Sequence, residues 1–396
     1  MGLELNKVTA SVDALGASAA RRITDLNQRL PAAKAMLSAI RVDDELMKKI
    51  AAARAHRWAG AIPSSENINA VFPLPPHPAR LNVIAADGSQ IYPDRHGIAL
   101  YYLINIGSIV FRHGRDEAPA TNSTPQVFFE GDESDYAEEA GPINSEMVNA
   151  MRDVRELGEL ASLAVIETET APTVTLLDNG LLMYISLREH NRDFGEGIIT
   201  DYLRHLDTLR TCGAIPVGIV DRPRAANVVR LLNLAKMELS EITSDSLQST
   251  GPFAGITDAM LFAFLKPGER SAMFDNAAPD NDRYEKKKHR IFFFYLNAGR
   301  PGKDSILRVE VPEWIATDRA RLDVAHAAIV EQCRVSDGFP YTLMRAHELA
   351  VVTAGERREF EQMVIGSLMR QGIAPSVSQK AQGKQWTGSG KRRYPR

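Results

Sequence analysis

The sequence predicts an α/β protein, a mixed sheet flanked by helices, with an N-terminal helical arm. Three observations predict it. Short apolar runs alternate with long stretches of helical period from residue 80 onward. Three of those runs stop at an aspartate: Leu81–Ala86 before Asp87, Thr173–Leu177 before Asp178, and Ile215–Val220 before Asp221. A proline-rich stretch, Phe72-Pro73-Leu74-Pro75-Pro76-His77-Pro78, separates this pattern from purely helical sequence before it.

The elements follow in order. Val8, Val12, Leu15, Ala19, Ile23, Leu26 and Leu30 recur at helical steps and predict an amphipathic helix over 4–30, ended or kinked by Pro31. A second helix is expected from Leu37 to Ala59. Residues 1–72 thus read as an arm whose apolar stripe packs by default on its own domain, the alternatives being a second subunit or a partner ATPase. Leu81–Ala86 is a buried strand ending in an Asp87-Gly88-Ser89 turn. Residues 98–111 and Gln126–Phe129 read as further strands. A long helix covers Asn144–Thr168, a strand Thr173–Leu177, a helix Ile198–Arg210, a strand Ile215–Val220, and another helix starts near Arg224. Thr243–Asp282 reads as irregular. Ile291–Leu296 and Ile306–Val311 form a late strand pair. Helices at Trp314–Cys333, Leu343–Ala354 and Glu356–Gln371 close the domain, taken as 80–372. Residues 373–396 form a flexible basic tail.

Composition bounds the function. The chain has 396 residues, 44% hydrophobic and 24% charged, with a net charge of −3. That is a globular composition. No apolar run reaches the roughly 18–20 residues a bilayer span needs, and no signal-peptide core is present. Two cysteines, Cys212 and Cys333, fit a reducing compartment. A cytoplasmic protein without membrane contact is expected.

Asp87 and Asp178 share one local context. If their strands are neighbours, the two carboxylates converge and repel, and a divalent cation relieves the repulsion. Taken singly, either one reads better as a turn starter. On the helix at 144–168, Met147, Met151, Val154, Leu157, Leu160, Ala161, Ala164 and Val165 form the apolar face. Glu156 borders that face, while Glu159 points further toward solvent and Glu146 lies near the start. Glu156 is also placed for an ion pair with Arg152 one turn earlier. His347 lies on a helix beside Leu343, Ala350 and Val351, a position that suits a core histidine as readily as a ligand or proton carrier.

Taken together, these motifs resemble the NurA nucleases. The match runs from Asp87-Gly88-Ser89 through Arg152-x-x-x-Glu156 and Leu176-Leu177-Asp178-x-Gly180-x-Leu182 to Val217-Gly218-x-Val220-x-Arg222-Pro223-Arg224. It ends on Gly338-Phe339-Pro340-x-x-Leu343-x-x-Ala346-His347. The chain differs in Asn179, where glycine is commoner, and in Phe339, where tyrosine is frequent. The resemblance implies a ribonuclease H-like fold and Mn²⁺-dependent DNA cleavage, with Mg²⁺ as the substitute. It also implies 5′–3′ exonuclease and single-strand endonuclease action, a homodimer, and work beside a HerA-type hexameric ATPase in end resection and double-strand break repair. It places Asp87, Glu156, Asp178 and His347 as metal-binding and catalytic residues.

A nuclease must hold a polyanion, single-stranded or at a duplex end. Arg222 and Arg224 at an expected helix start are candidate phosphate contacts, although Arg222 can equally pair with Asp221. Lys286-Lys287-Lys288-His289-Arg290 is a basic run. Lys380 and Lys384 belong to the basic tail, where Trp386 and Tyr394 offer stacking surfaces. The alternative is a catalytically inactive adaptor of the same fold. A nucleotide-dependent phosphotransferase ranks last, because no Walker-type loop is present.

Overall fold

A computed structural model describes residues 4–94, 99–129, 144–183 and 192–373. The chain forms two compact units, each discontinuous in sequence. The first takes Met1–Pro78, Asn179–Leu182 and Val217–Tyr341; the second takes Ala79–Asp178, Met183–Pro216 and Thr342–Arg396.

The first unit begins with helices α1 (Thr9–Ala39) and α2 (Asp44–Ala55) and the short strands β1 (Ala61–Pro63) and β2 (Val71–Phe72). Helix α1 does not end at Pro31 but continues to Ala39. An interior proline costs about 3 kcal/mol. Beyond it Ala33 and Leu37 are buried in the unit's core, and that packing offsets the lost hydrogen bond. Part of residues 1–72 packs into the core of this unit. Leu26, Ala33, Leu37, Leu46, Ile50 and Ala53 share one core with Val228, Leu232, Phe262 and Tyr295, which lie far along the chain. Only the first half of α1 stays out of that core, with Val12, Leu15 and Ile23 exposed.

The second unit opens with three strands, β3 (Leu81–Ile91), β4 (Tyr101–His113) and β5 (Ala120–Phe129), joined as an antiparallel meander. Helix α3 (Ser145–Glu167) then crosses over, and β6 (Thr173–Asp178) pairs parallel with β3. The order is β6-β3-β4-β5. A meander whose first strand gains the fourth as a parallel neighbour through a helical crossover is ribonuclease H-like connectivity. Leu81 to Ala86 are buried throughout, as an inner strand covered on both faces should be. Asn144 starts α3 by accepting from Met147 N at 3.0 Å. The buried stripe of α3 is the expected one, except that Val165 is exposed. Helix α4 (Arg192–Cys212) lies against α3.

The remaining chain supplies β7 (Ile215–Val220), α5 (Asn227–Lys236), α6 (Asp258–Leu261), β8 (Arg270–Ser271), β9 (Phe274–Asn276), α7 (Asn281–Lys286), β10 (Ile291–Asn297), β11 (Ile306–Pro312), α8 (Glu313–Ala316) and α9 (Arg319–Val335). In the first unit β1, β9, β10, β11 and β7 follow one another as antiparallel neighbours. The stretch expected to be irregular thus contains β8, β9 and α6. The single helix expected at Trp314–Cys333 is two, broken where Asp318 caps α9 by accepting from Ala320 N and Arg321 N. The second unit ends in α10 (Tyr341–Ala350) and α11 (Ala354–Arg370), the latter opened by a Thr353–Glu356 capping box. No described helix is long and apolar enough to cross a membrane.

Candidate acidic site

Strand β3 does not end in a turn at Asp87. Its parallel pairing with β6 stops at Ala86↔Leu177, but its antiparallel pairing with β4 continues from Asp87↔Gly107 to Ile91↔Leu103. Asp87 therefore sits mid-strand, at the point where the sheet loses its β6 neighbour. Asp178, the last residue of β6, is exposed at that same level. The two aspartate-bearing strands are neighbours, the condition set for their carboxylates to converge.

Side chains alternate along β3, so Asp87 and Ser89 face one side and Gly88 and Gln90 the other. On the Asp87 side lies α10. Ser89 Oγ donates to the Ala350 carbonyl, and Asn105 Nδ2 donates to the same oxygen at 2.8 Å. Gly107, opposite Asp87, is required to be glycine. A Cβ there would stand 2.4 Å from Ala350 N and 2.5 Å from Ala346 O. This close seat brings His347 Nδ1 to 2.6 Å from Asp87 Oδ2. The other oxygen, Asp87 Oδ1, accepts from Gly88 N at 2.8 Å. His347 is no core residue: Leu343, Ala346 and Ala350 are buried, while its own side chain is 65% exposed.

On the opposite side lies α3. A Cβ on Gly88 would stand 2.6 Å from Arg152 Cγ and 2.7 Å from Glu156 Oε1. The missing side chain lets the helix approach and delivers Glu156 to the site. Glu156 is 5% exposed. Burial pushes its carboxyl well above the usual range; Arg152 opposes this, and the negative charges of Asp153, Asp87 and Asp178 add to it. Asp87 and Asp178 thus both lie within electrostatic reach of Glu156. The expected ion pair with Arg152 is present, since Arg152 Nε approaches Glu156 Oε1 at 3.1 Å, without hydrogen-bond geometry. Glu159 is engaged elsewhere, accepting from Ser108 Oγ at 2.7 Å, and Glu146 is exposed in the first turn.

Asp153 and Gln90 were not singled out from the sequence. Arg152 Nη2 donates to Asp153 Oδ1 at 2.7 Å and Nη1 to Gln90 Oε1 at 3.2 Å. Burial raises the Asp153 carboxyl, Arg152 pulls it back, and Asp87 adds to the rise. The only signal for Asp153 was an acid beside an arginine, which carries no period.

Among the described residues, no three His, Cys, Asp or Glu side chains stand together in a metal-holding geometry. The donor chemistry nonetheless fits a hard divalent cation. The set consists of carboxylate oxygens, and one of them, Glu156 Oε1, is buried without a hydrogen bond.

The other expected contacts fall differently. Arg222 and Arg224 are exposed, in the first unit, but they do not open a helix. Arg222 has φ 45°, its Nε lies 3.7 Å from Asp221, and α5 starts only at Asn227. That helix end is not open to phosphate either: buried Asp258 accepts from Val228 N at 3.0 Å and Val229 N at 2.9 Å. In the basic run Lys286–Lys288 are exposed, but His289 and Arg290 are buried, and Arg290 pairs with Asp275 at 2.8 Å. Lys380 and Lys384 lie outside the described residues.

A sequence model of the NurA domain matches residues 81–352. A search of curated proteins found no match. Among solved structures, the chain is similar to the catalytic domain of human endonuclease V, at 14% identity and a TM-score of 0.32, covering 81% of this chain and 96% of that one. Endonuclease V of Bacillus subtilis gives 14% identity, TM-score 0.32, and coverages of 74% and 88%. Drosophila Piwi gives 10%, 0.27, and coverages of 68% and 29%. These TM-scores are low, and it is the strand order with its crossover that makes the second unit ribonuclease H-like.

Proposed function

Because the chain belongs to the NurA family of nucleases, its domain model spanning more than half the residues, we propose that it hydrolyses DNA phosphodiester bonds at Asp87, Glu156 and Asp178. The observation that carries this reading is the pairing of β3 with β6, which sets Asp87 and Asp178 on neighbouring strands, both within electrostatic reach of buried Glu156. Mn²⁺, or Mg²⁺ in its place, would be held by these three, with His347 at the margin. Such an ion supplies Lewis-acid polarisation of the phosphodiester and of the attacking water. The chain's own residues do the rest. Gly88 N–H and His347 orient the Asp87 carboxylate. The exposed imidazole of His347 is placed to move a proton between Asp87 and solvent. Burial of Glu156 behind Gly88 keeps water from one side of the site.

End-labelled linear DNA with Mn²⁺ tests this. Wild type should degrade it, and folded Asp87→Ala and Asp178→Ala should not. Undiminished degradation by Asp87→Ala sinks the assignment. The labelled end reports the proposed 5′–3′ direction, and circular single-stranded DNA reports endonuclease action. By resemblance, the proposal extends to a homodimer acting with a HerA-type hexameric ATPase in end resection and double-strand break repair, which co-elution with such an ATPase would test. Exposed Arg222 and Arg224, together with Lys380 and Lys384, are the proposed phosphate contacts, and DNA affinity should fall steeply with salt.

One observation favours a second reading, an inactive adaptor of the same fold: the lack of a three-residue metal geometry among the described residues. Titration calorimetry separates the two, since an adaptor gives no Mn²⁺ heat.

A further inference from the structure

Arg152 is the chain's own cation in the acidic site. Its Nε lies 3.1 Å from Glu156 Oε1, its Nη2 lies 2.7 Å from Asp153 Oδ1, and its field reaches Asp87. It is also held in place from behind. Its Nη1 donates to Gln90 Oε1 at 3.2 Å; Gln90 Nε2 donates to the Tyr92 hydroxyl, and that hydroxyl donates to Asn149 Oδ1, each at 2.7 Å. Asn149 is on α3, one turn before Arg152, so the chain of hydrogen bonds closes on the helix that carries the arginine. The stem is fixed too, because Arg152 Cγ lies where a side chain at position 88 would have to go. A surface arginine that had merely found an acid would have neither the seat nor the relay.

We propose that Arg152 is a built-in counter-ion of this site. It neutralises the carboxylates while no metal is bound and, by its charge, sets how tightly a divalent cation binds. The inference rests on the metal reading above. Carboxylates gathered near Glu156 repel one another, and a fixed guanidinium makes their assembly tolerable without metal. The same positive charge repels an incoming divalent ion. One residue therefore has two effects of opposite sign. Removing its charge weakens the metal-free protein and tightens metal binding. Arg152 is in this sense a positioning residue, distinct from the ligands it serves.

The test is Mn²⁺ titration calorimetry on the full chain at a fixed, mildly alkaline pH, with thermal unfolding in the presence and absence of Mn²⁺. Arg152→Gln should bind Mn²⁺ at least about tenfold more tightly than wild type, the scale set by removing a unit charge beside a divalent ion even in water. Its metal-free form should unfold at a lower temperature. Arg152→Lys, which keeps the charge, should bind Mn²⁺ close to the wild-type affinity. If Arg152→Gln does not fold, Arg152→Met keeps atoms at the γ and δ positions against Gly88 and carries the same expectation. A folded neutral variant that binds Mn²⁺ no more tightly than wild type overturns the proposal. So does a lysine variant that departs from wild type as far as the glutamine variant does. Wild type that takes up no Mn²⁺ overturns the metal reading itself, and is distinguishable because it needs no variant.

Discussion

Replacing Gly107 by alanine should loosen α10 and separate His347 from Asp87. The added Cβ would stand 2.4 Å from Ala350 N, 2.5 Å from Ala346 O and 2.7 Å from Leu349 C, all of them backbone atoms. No side chain can rotate away, so the helix itself must move. Overpacking of this kind costs about 1–3 kcal/mol. Shifting Ala350 also stretches the two hydrogen bonds its carbonyl accepts from Ser89 and Asn105, about 0.5–1.5 kcal/mol each. Alanine in a strand is otherwise better than glycine by about 0.5–1 kcal/mol. The net is a loss of about 1–5 kcal/mol, centred near 3. For a unit of this size that lowers the melting temperature by roughly 6–12 °C at the central value. Thermal unfolding should show the drop, hydrogen exchange should show Ala346–Ala350 losing protection, and DNA cleavage should fall with them. A variant that melts at or above the wild-type temperature, with α10 still protected, would refute the close seating of α10 on β4.

Three further outcomes are expected. Asp258→Ala removes the acceptor for Val228 N, Val229 N and the Tyr295 hydroxyl, and should destabilise the first unit by about 2–4 kcal/mol, read from urea unfolding followed by the buried Trp58. His326 is buried, and its Nε2 donates to the Gly268 carbonyl at 2.8 Å; burial holds its imidazolium down to about 4. The folded form thus resists a proton that the unfolded chain takes up near 6.5, so stability present above that pH should drain by roughly 3 kcal/mol as pH falls toward 4. His326→Gln should flatten the slope in urea titrations across this range. Saturating Mn²⁺ should raise the melting temperature of wild type, whereas Asp87→Asn and Asp178→Asn should each abolish most of that shift in a thermal scan.

What could be read from sequence was local and periodic. Strands β6 and β7 matched almost residue for residue, since each is an apolar run bounded by acidic turns. The helical phase of α3 put Glu156 at the border of the apolar face, where it is buried, because one face of a long amphipathic helix is a strong signal. What failed depended on partners remote in the chain. Asp87-Gly88-Ser89 has turn-forming residues, yet it stays in the strand because β4 supplies Gly107, Ile106 and Asn105 as pairing partners. The start of α5 was misplaced because its cap, Asp258, comes thirty residues after Val228. The partners of the N-terminal helices could not be named, because the rest of their shared core lies beyond residue 227. His347 was read by its helical neighbours, whereas its place is decided by how closely α10 sits on Gly107.

Gly88 and Gly107 stand on adjacent strands beside Asp87, and they clear opposite faces of the sheet. At that point the protein is one main chain thick between two helices. The consequence concerns sequence drift. A larger residue at 107 is felt by α10 and a larger one at 88 by α3, so no change on one face can compensate a change on the other. A saturation library should therefore show two independent sites of intolerance flanking Asp87. Homologues that lose one glycine are expected to rebuild the helix it faces and leave the other untouched.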